Sequence, residues 1–368
     1  MHKKLFLFFL FLIFSTLFSY PETIKLKNGK TIEAKIIEKT DTAVKLDING
    51  ASVAYFLDEI ESITGKSLSS HEEQAGSGPK APRDIFKSVS PAIVSIFLRT
   101  PKREQLLGTG FVIDSQGIFI TELHVFSATT NNSVLRLKDG YELPLISTKN
   151  VIIKLKDGGT YPIGEKFVVD VKRDIFIAEI KAKNLACLSF GDAQATQVGD
   201  TVYVIGNPLG LEYSFSNGML SGTREIDKDY DKIKLLQFTA PIAPGSSGGP
   251  LLNTQGQVIG IVSLTAMPET GGQNLNFALA IDEIYNHLGR LYLLLGQEAQ
   301  SLNYFNKIIQ LRPERAWQYY ADLALTYKED LGQFPKAKEN LKKAIDLLKA
   351  QGKYQDAQEA ETLLKEIP

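Results

Sequence analysis

The sequence has little cysteine, little histidine and no surplus of charge of either sign. Its 368 residues include one cysteine, Cys187, which excludes an internal disulfide and a cysteine-based zinc cluster. The 41 basic and 42 acidic residues nearly cancel, which argues against a phosphate backbone as the principal partner. We therefore expect packing to supply stability, and we expect no nucleic acid partner, no metal and no cofactor.

Long apolar runs are also scarce. The run at residues 5–14 follows two lysines and is shorter than the roughly 20 residues that a bilayer-spanning helix needs. Small polar residues come after it, and this layout is typical of a secretory signal. Residues 1–20 are therefore interpreted as a signal peptide of a periplasmic or secreted protein. Membrane contact is expected only through an uncleaved signal.

Residues 22–65 alternate apolar and polar side chains with a period of two, which predicts strands. Asn-Gly pairs at Gly29 and Gly50 are typical of tight hairpins. This pattern predicts a small all-β module, SH3-like or a barrel, and leaves open whether it binds a partner or only caps the fold. Residues 66–82, rich in Gly, Ser and Pro, predict a flexible linker.

Short strand-like runs continue to about residue 287 and predict a sandwich or barrel. Within them the motif LKDG occurs at residues 137–140 and 155–158, which suggests an extra hairpin. Residues 288–368 instead show helical spacing and two segments that align 36 residues apart, with Gly296 matching Gly332. These segments resemble tetratricopeptide repeats, whose concave surfaces bind peptides or partner proteins.

A serine pair in the stretch APGSSGGPLLN raises the question of nucleophilic catalysis. A serine nucleophile needs a base beside its hydroxyl and a carboxylate that orients the base. Of the four histidines, only His124 lies in the all-β region, since the others fall in the predicted signal, the linker and the start of the helical region. Four acidic residues between the histidine and the serines compete for the third position, namely Asp139, Asp157, Asp170 and Asp174.

The stretches GTGFVIDSQGIFITELHVF and GSSGGPLL resemble the histidine and serine motifs of the HtrA/Deg family of trypsin-like serine proteases. The resemblance implies a chymotrypsin-like double β-barrel over residues 83–287, with His124 as base and Ser247 as nucleophile. It implies an oxyanion hole made by the N–H groups of Gly245 and Ser247, and a structural role for Ser246. Asp174 opens DIFIAEI as in the family motif and is chosen over Asp170.

The resemblance also implies a substrate-binding region and shows departures from the family pattern. Pro241 stands where an aspartate would select basic residues, so cleavage after small or medium aliphatic residues is expected. Glu122 replaces an asparagine, Phe176 replaces an alanine, and helical repeats stand in place of a PDZ domain. The full set of residues expected to bind substrate is Pro241, Ala243, Asn276, Phe277 and Ala278.

Two functions remain in contention. The first is an exported serine endopeptidase that cleaves unfolded or partner proteins, with the repeats recruiting them and the resemblance allowing a homo-oligomer. On this view a protease domain ending near Asn286 should still cleave short peptides. The alternative is a catalytically weak or inactive protease-like scaffold that binds proteins.

Overall fold

The computed structural model describes residues 22–26, 31–39, 43–48, 51–56, 60–63, 66–67, 79–129, 134–136, 142–144, 147–228, 231–263 and 275–368. The chain divides into two compact units, residues 1–75 and 76–368. The predicted signal and most of the predicted linker lie outside the described residues. Within the described ranges, no helix combines the length and the apolar character needed to cross a bilayer.

The first unit is an antiparallel sheet of six strands, as its alternating pattern predicted. Its order is β4-β3-β2-β1-β5-β6, and no pairing between described residues closes it into a barrel. Alternate side chains such as Ile24, Val44 and Leu46 form its core. The last strand falls inside the predicted linker, so that prediction began too early. The strands are β1 (Glu22–Leu26), β2 (Thr31–Lys39), β3 (Ala43–Ile48), β4 (Ala51–Phe56), β5 (Ile60–Ile63) and β6 (Lys66–Ser67).

The second unit begins with a short helix and a closed barrel. The barrel has the strand order β12-β13-β14-β9-β8-β7, and a separate two-stranded hairpin, β10-β11, lies between β9 and β12 in the sequence. This hairpin is the insertion that the repeated LKDG motif suggested. The elements are α1 (Pro82–Val89), β7 (Ile93–Arg99), β8 (Glu104–Val112), β9 (Ile118–Glu122), β10 (Val134–Arg136), β11 (Glu142–Pro144), β12 (Val151–Leu155), β13 (Thr160–Asp170) and β14 (Ile175–Ile180).

Phe176 shows how the first barrel accommodates a large residue where the family pattern has alanine. Its ring is fully buried and lies 4.3 Å from the ring centroid of Phe126 and 5.4 Å from that of Phe167. The adjacent position on the same face is the small Ala178, which is also fully buried. A large residue at Phe176 and a small one at Ala178, on the same face of the strand, together keep the core filled.

A second closed barrel follows, in the order β15-β16-β17-β20-β19-β18. Two barrels of antiparallel strands are the architecture that the sequence predicted for this region. The loop containing the two serines lies between β17 and β18, at the start of a short, fully buried strand. The strands are β15 (Thr201–Gly206), β16 (Ser214–Lys228), β17 (Asp231–Phe238), β18 (Pro250–Leu252), β19 (Val258–Ser263) and β20 (Asn276–Ala280).

The C-terminal region is helical. Gly289 allows the first two helices to approach closely, because a Cβ there would lie 2.8 Å from the Phe305 ring. This is the close packing of helix pairs that the repeat pattern predicted. The helices are α2 (Tyr285–Leu294), α3 (Glu298–Leu311), α4 (Ala316–Leu325, continued by a π-helical turn at Thr326–Asp330), α5 (Phe334–Ala350) and α6 (Tyr354–Glu366).

Helix α2 packs directly on the first barrel. It contacts β13 and β14, and the Tyr292 hydroxyl donates a 2.7 Å hydrogen bond to Asp114 in the turn before β9. The predicted boundary between residues 287 and 288 therefore cuts through a helix. A sequence pattern can identify the start of a repeat, but it does not reveal that the first helix also completes the surface of the preceding domain.

Candidate active site

His124 and Asp174 come together at one end of the first barrel. His124 follows β9 directly, and its Nδ1 lies 2.7 Å from Asp174 Oδ2. Its backbone N–H also donates to Asp174 Oδ1 at 2.8 Å, so one carboxylate holds both the ring and the main chain. Hydrogen bonding to Nδ1 leaves Nε2 as the nitrogen that can exchange a proton with a substrate or nucleophile.

In the sequence analysis, three aspartates other than Asp174 were candidates for the carboxylate that orients His124. Asp170 lies four residues earlier and pairs with His287 Nε2 at 2.8 Å instead. Asp157 is exposed in the β12–β13 turn, where its Oδ1 accepts from the Gly159 N–H at 2.8 Å. Asp139 lies outside the described residues. Among the described aspartates considered from the sequence, only Asp174 contacts His124.

Ser247 lies in the loop before β18 and is tied to the first barrel through its main chain. Its carbonyl accepts the Thr109 N–H at 3.0 Å, which fixes the loop against β8. The next residue, Gly248, has a φ of +82°, and a Cβ there would lie 2.2 Å from Thr121 Oγ1. Only glycine fits both the conformation and the space.

The Ser247 hydroxyl is buried and is not hydrogen-bonded to His124. It interacts instead with the Glu122 carboxyl, whose pKa it lowers. Ser246 is different, because its Oγ accepts the Ala243 N–H at 3.4 Å within its own loop. Loose nucleophile–base geometry is common before substrate binds. Proton transfer to His124 therefore requires a rearrangement that brings Ser247 Oγ within hydrogen-bonding distance of His124 Nε2.

The backbone beside Ser247 has the form expected of an anion-binding site. Gly245 has a φ of +102°, which glycine adopts without strain. Thr109 Oγ1 donates to the Gly245 carbonyl at 2.6 Å and so orients this peptide. The N–H groups of Gly245 and Ser247 make no hydrogen bond to other described residues. They are available for an oxyanion.

Comparison with known proteins agrees with this geometry. Residues 108–261 match the family model of the trypsin-like peptidase domain, and residues 282–315 and 318–347 match tetratricopeptide repeats. Residues 108–261 are therefore similar to trypsin-like peptidase domains. The repeats follow this region, as the internal alignment predicted.

The relatives match about half of this chain. A probable periplasmic serine endoprotease DegP-like from Halomonas elongata is 33% identical over 177 residues, covering 48% of this chain and 33% of that protein. A putative serine protease HhoB from Synechocystis is 31% identical over 194 residues, covering 52% and 41%. The chain thus matches about a third to two fifths of the length of these relatives. A solved structure, an HtrA-type protease with tripeptide, has a TM-score of 0.45 at 22% identity and covers 59% of this chain and 65% of its own.

Glu122 also belongs to the site. The sequence analysis noted it only because it replaces an asparagine of the family motif. The first barrel buries this last residue of β9 almost completely, with its Oε2 3.8 Å from His124 Nδ1. Burial, with a smaller contribution from Asp174, raises the pKa of Glu122 to about 8, although His124, Ser263 and Ser247 act in the opposite direction. Glu122 therefore keeps its proton to a higher pH than an exposed glutamate does.

Two carboxyl groups thus flank the same ring nitrogen. Burial tends to lower the pKa of His124, but the Asp174 hydrogen bond and the charges of Glu122 and Asp174 outweigh it, so the net shift is upward. Ligand atoms of Glu122, His124 and Asp174 lie within 4.8 Å of one another, and these are the described residues that could hold a metal ion. The sequence alone predicted no metal.

A network of charged side chains holds the turn that carries Asp174. Arg173 donates from Nη1 to Asp170 Oδ2 and from Nε to Glu283 Oε2, both at 3.1 Å. The other oxygen of Glu283 accepts from Arg312, at the end of α3. Burial opposes ionisation of Asp170, but His287 and Arg173 lower its pKa well below the ordinary range. Sequence patterns gave no sign of this network.

The residues expected to bind substrate do not form one surface. Pro241 is exposed and its carbonyl accepts from Ser216 Oγ at 2.7 Å, while Ala243 is part of the Ser246 loop. Asn276 donates to the Ala240 carbonyl at 2.8 Å and so supports the strand before that loop. These three lie near the serine loop and remain predictions as substrate contacts.

Phe277 and Ala278 do not fit the expected role in pairing with substrate. Their strand, β20, is hydrogen-bonded to β17 on one edge and to β19 on the other. Both side chains are buried, and Ala278 is fully so. A strand that is paired on both edges has no free edge to offer a peptide, so these two residues belong to the barrel core.

Proposed function

We propose that the chain is an exported serine endopeptidase of the HtrA type. The observation that supports it most directly is the 2.7 Å contact between His124 Nδ1 and Asp174 Oδ2, formed in a trypsin-like domain whose serine loop packs against the same barrel. Relatives named periplasmic endoproteases and the signal-like N-terminus support a location outside the cytoplasm.

In this proposal Ser247 attacks the carbonyl carbon of a peptide bond. His124 takes the hydroxyl proton at Nε2 and later donates it to the leaving amine, while Asp174 stabilises the imidazolium that forms. The N–H groups of Gly245 and Ser247 stabilise the oxyanion of the tetrahedral intermediate. Water then hydrolyses the acyl-enzyme by the same steps.

The test of catalysis uses the two adjacent serines as a matched pair. Ser247→Ala and His124→Ala should each lower peptide cleavage by about four orders of magnitude, because the two residues act as one unit. Ser246→Ala should lower it far less, because this side chain only orders its own loop. Peptide cleavage and labelling by a fluorophosphonate are measured for each purified variant. Equal damage from both serine variants would show that the register of the motif is wrong.

The lack of a Ser247–His124 hydrogen bond favours a second candidate, a protease-like scaffold that binds proteins without cleaving them. A scaffold should not react with the fluorophosphonate at Ser247, whereas the endopeptidase should react rapidly. The wild-type chain therefore distinguishes the two functions before any variant is made.

Pro241 supports a proposal about specificity. In the trypsin-like arrangement this residue lies at the base of the primary pocket, and it offers no negative charge to a basic side chain. Burial of an aliphatic side chain contributes about 0.8 kcal/mol per methylene, so small or medium aliphatic residues are expected before the cleaved bond. Profiling with a peptide library checks this, and a profile dominated by Lys or Arg would contradict it.

The repeats are proposed to recruit an unfolded or partner protein. Tetratricopeptide helices form concave surfaces that suit such ligands. Substrates that dock there would be presented to the cleft at a raised local concentration. A comparison of cleavage of a short peptide and of an unfolded protein, with and without α6, tests whether the helical region contributes to substrate capture.

A further inference from the structure

The loop at residues 207–213, between β15 and β16, presents two leucines to solvent. Leu209 is 75% exposed and Leu211 is 67% exposed. No other large apolar residue in the described part of the chain is as exposed as Leu209. Single exposed apolar residues are common, but two leucines separated by one glycine give this short loop an apolar character that suits contact with a ligand.

The backbone of Leu209 is also strained. Its φ is +53°, in the left-handed region that leucine rarely adopts, and Tyr213 in the same loop has a φ of +60°. Glycine or asparagine would adopt the conformation of Leu209 with less strain. The chain therefore keeps an apolar side chain here against both strain and exposure to water, and strain of this kind is concentrated at sites that contact ligands.

The surroundings hold this loop in one position. Asn207 is fully buried; its Oδ1 accepts the Tyr213 N–H at 2.9 Å, and its Nδ2 donates to Thr109 Oγ1 of β8 at 3.2 Å. Lys154 of β12 donates to Glu212 at 3.3 Å. The loop belongs to the second barrel and is tied to the first barrel by these contacts. A surface that is already ordered loses little entropy when it binds a ligand.

The same loop packs against the serine loop, residues 239–249. The Leu209 N–H donates to the Pro244 carbonyl at 2.7 Å. A Cβ on Gly245 would collide with the Asn207 carbonyl, so glycine is needed for the two loops to meet. The exposed leucines are thus anchored beside Gly245, whose N–H is proposed to form part of the oxyanion hole.

This position differs from that of the primary pocket. Pro241, at the base of that pocket in the proposed arrangement, comes earlier in the serine loop, and its carbonyl accepts from Ser216 Oγ. The residue before the cleaved bond occupies the pocket, and its carbonyl oxygen faces the N–H groups of Gly245 and Ser247. The leucines lie at the Gly245 end of the serine loop, so they are placed for the residues that follow the cleaved bond.

We propose that Leu209 and Leu211 bind an apolar side chain at one of the two positions after the cleaved bond. The inference rests on the proposed endopeptidase function and adds a second element of specificity to it. Contact with the two leucines removes apolar surface of both partners from water. Because the loop is ordered beforehand, most of this gain appears as affinity. The ligand is an extended peptide segment with leucine or a similar aliphatic residue at that position.

Internally quenched peptides test this preference in the full chain. They share a valine before the cleaved bond and carry Leu-Ala, Ala-Leu or Ala-Ala after it, and mass spectrometry identifies the bond that is cleaved. The better leucine peptide should have a kcat/KM at least about fivefold above that of the Ala-Ala peptide, since an open surface buries only part of the side chain. The difference should lie mainly in KM, because the leucines bind substrate and transition state alike.

Two substitutions remove the apolar side chains. Leu209→Asn uses a residue that suits the left-handed conformation, and Leu211→Ser acts at the second leucine. Each should lower the ratio of kcat/KM between the leucine and Ala-Ala peptides, and the double variant should bring it below about twofold. Val198→Ser, at a residue that is 67% exposed in the turn before β15, is the matched control and should keep the wild-type ratio.

The ratio separates a binding role from a structural one, because a folding defect lowers the cleavage of both peptides by the same factor. Cleavage without a leucine preference, or a preference that survives the double variant, would overturn the inference and leave the endopeptidase function intact. If the leucines instead join two copies of the chain, the double variant would lower the mass measured by sedimentation and leave the ratio unchanged, which also overturns it. The absence of both peptide cleavage and fluorophosphonate labelling would contradict the proposed function itself, and this inference with it.

Discussion

Glu122 is the residue at which this site departs most from the motif it resembles. The family pattern has an amide at this position, whereas here a buried carboxyl lies 3.8 Å from the ring nitrogen that Asp174 already occupies. A second negative charge there would lie beside Asp174, at a buried position where solvent screens it little. The raised pKa reduces that repulsion, because Glu122 keeps its proton to a higher pH than an ordinary glutamate does.

This protonation links stability to pH. The pKa of Glu122 is about 8 in the folded chain against an ordinary value of 4.5, so between these pH values the folded state holds an extra proton. Its contribution to the free energy of unfolding is therefore present below about pH 4.5 and is lost as pH rises to about 8, with a slope of at most about 1.4 kcal/mol per pH unit. Glu122→Gln should remove this decline and be more stable than the wild type at pH 9.

Urea unfolding from pH 5 to pH 9 measures the effect as the difference between variant and wild type, which cancels the other titrating groups. Glu104→Gln, at a side chain that is 45% exposed on β8, is the control and should follow the wild type throughout. Parallel stability curves for Glu122→Gln and the wild type would mean that Glu122 is already ionised at neutral pH.

At the scale of an element, the turn between β13 and β14 carries the candidate acid in an uncommon conformation. Asp174 has a φ of +56°, which non-glycine residues adopt only where the surroundings hold them. The surroundings here are the contacts of Arg173 with Asp170 and Glu283. Because Arg312 holds Glu283, the end of a repeat helix supports the position of Asp174.

Arg312→Gln should therefore affect catalysis without touching substrate. Loss of the cation leaves the buried Glu283 with one partner fewer and loosens Arg173, and a small displacement of Asp174 can lower kcat by roughly ten- to a hundredfold. KM should change little. Steady-state kinetics on a short peptide measure kcat and KM separately. The proton signal of His124 Nδ1–H reports whether the hydrogen bond to Asp174 is kept.

Arg315→Gln is the matched control, because this neighbouring arginine donates to the Lys232 carbonyl on β17. Its kcat should equal that of the wild type. A folded Arg312→Gln chain with normal kcat and an unchanged Nδ1–H signal would show that the turn holds Asp174 without help from α3.

Local patterns predicted the elements well, and the contacts between distant elements poorly. Alternation, helical spacing and the motifs around His124 and Ser247 identified the sheet, the two barrels and the repeats. The pairing of Arg173 with Glu283, 110 residues apart, leaves no periodic mark on the sequence. The resemblance led us to expect that Phe277 binds substrate, and a motif does not show that its strand is paired on both edges.

At the scale of the whole molecule, the second unit joins protease barrels and repeats without a linker. Helix α2 starts directly after the short 3-10 turn Ile281–Ile284 that follows β20. Its residues Leu288, Leu291 and Tyr292 are almost completely buried. The helix that begins the repeats thus also covers the barrel. The protease barrels therefore do not form a separate unit that ends before the repeats.

A chain that ends after Asn286 should therefore fail as a protease, contrary to the expectation drawn from the sequence. Truncation removes Tyr292 and His287, which contact Asp114 and Asp170, and uncovers the apolar surface under α2. Full burial of one large apolar side chain contributes about 1.5–3 kcal/mol, and a domain is stable by only about 5–15 kcal/mol in total. The loss of α2 alone is therefore comparable to the whole stability of the unit.

The comparison is with a chain that ends after Gly352 and lacks only α6, which should melt close to the full chain and keep its cleavage of a short peptide. The chain ending after Asn286 should melt at a much lower temperature or aggregate, and should not cleave the same peptide. Thermal melting and peptide cleavage are measured on both. If the shorter chain folded and cleaved normally, α2 would be an appendage of the protease, and the contacts that it makes with β13 and Asp114 would carry little of the stability.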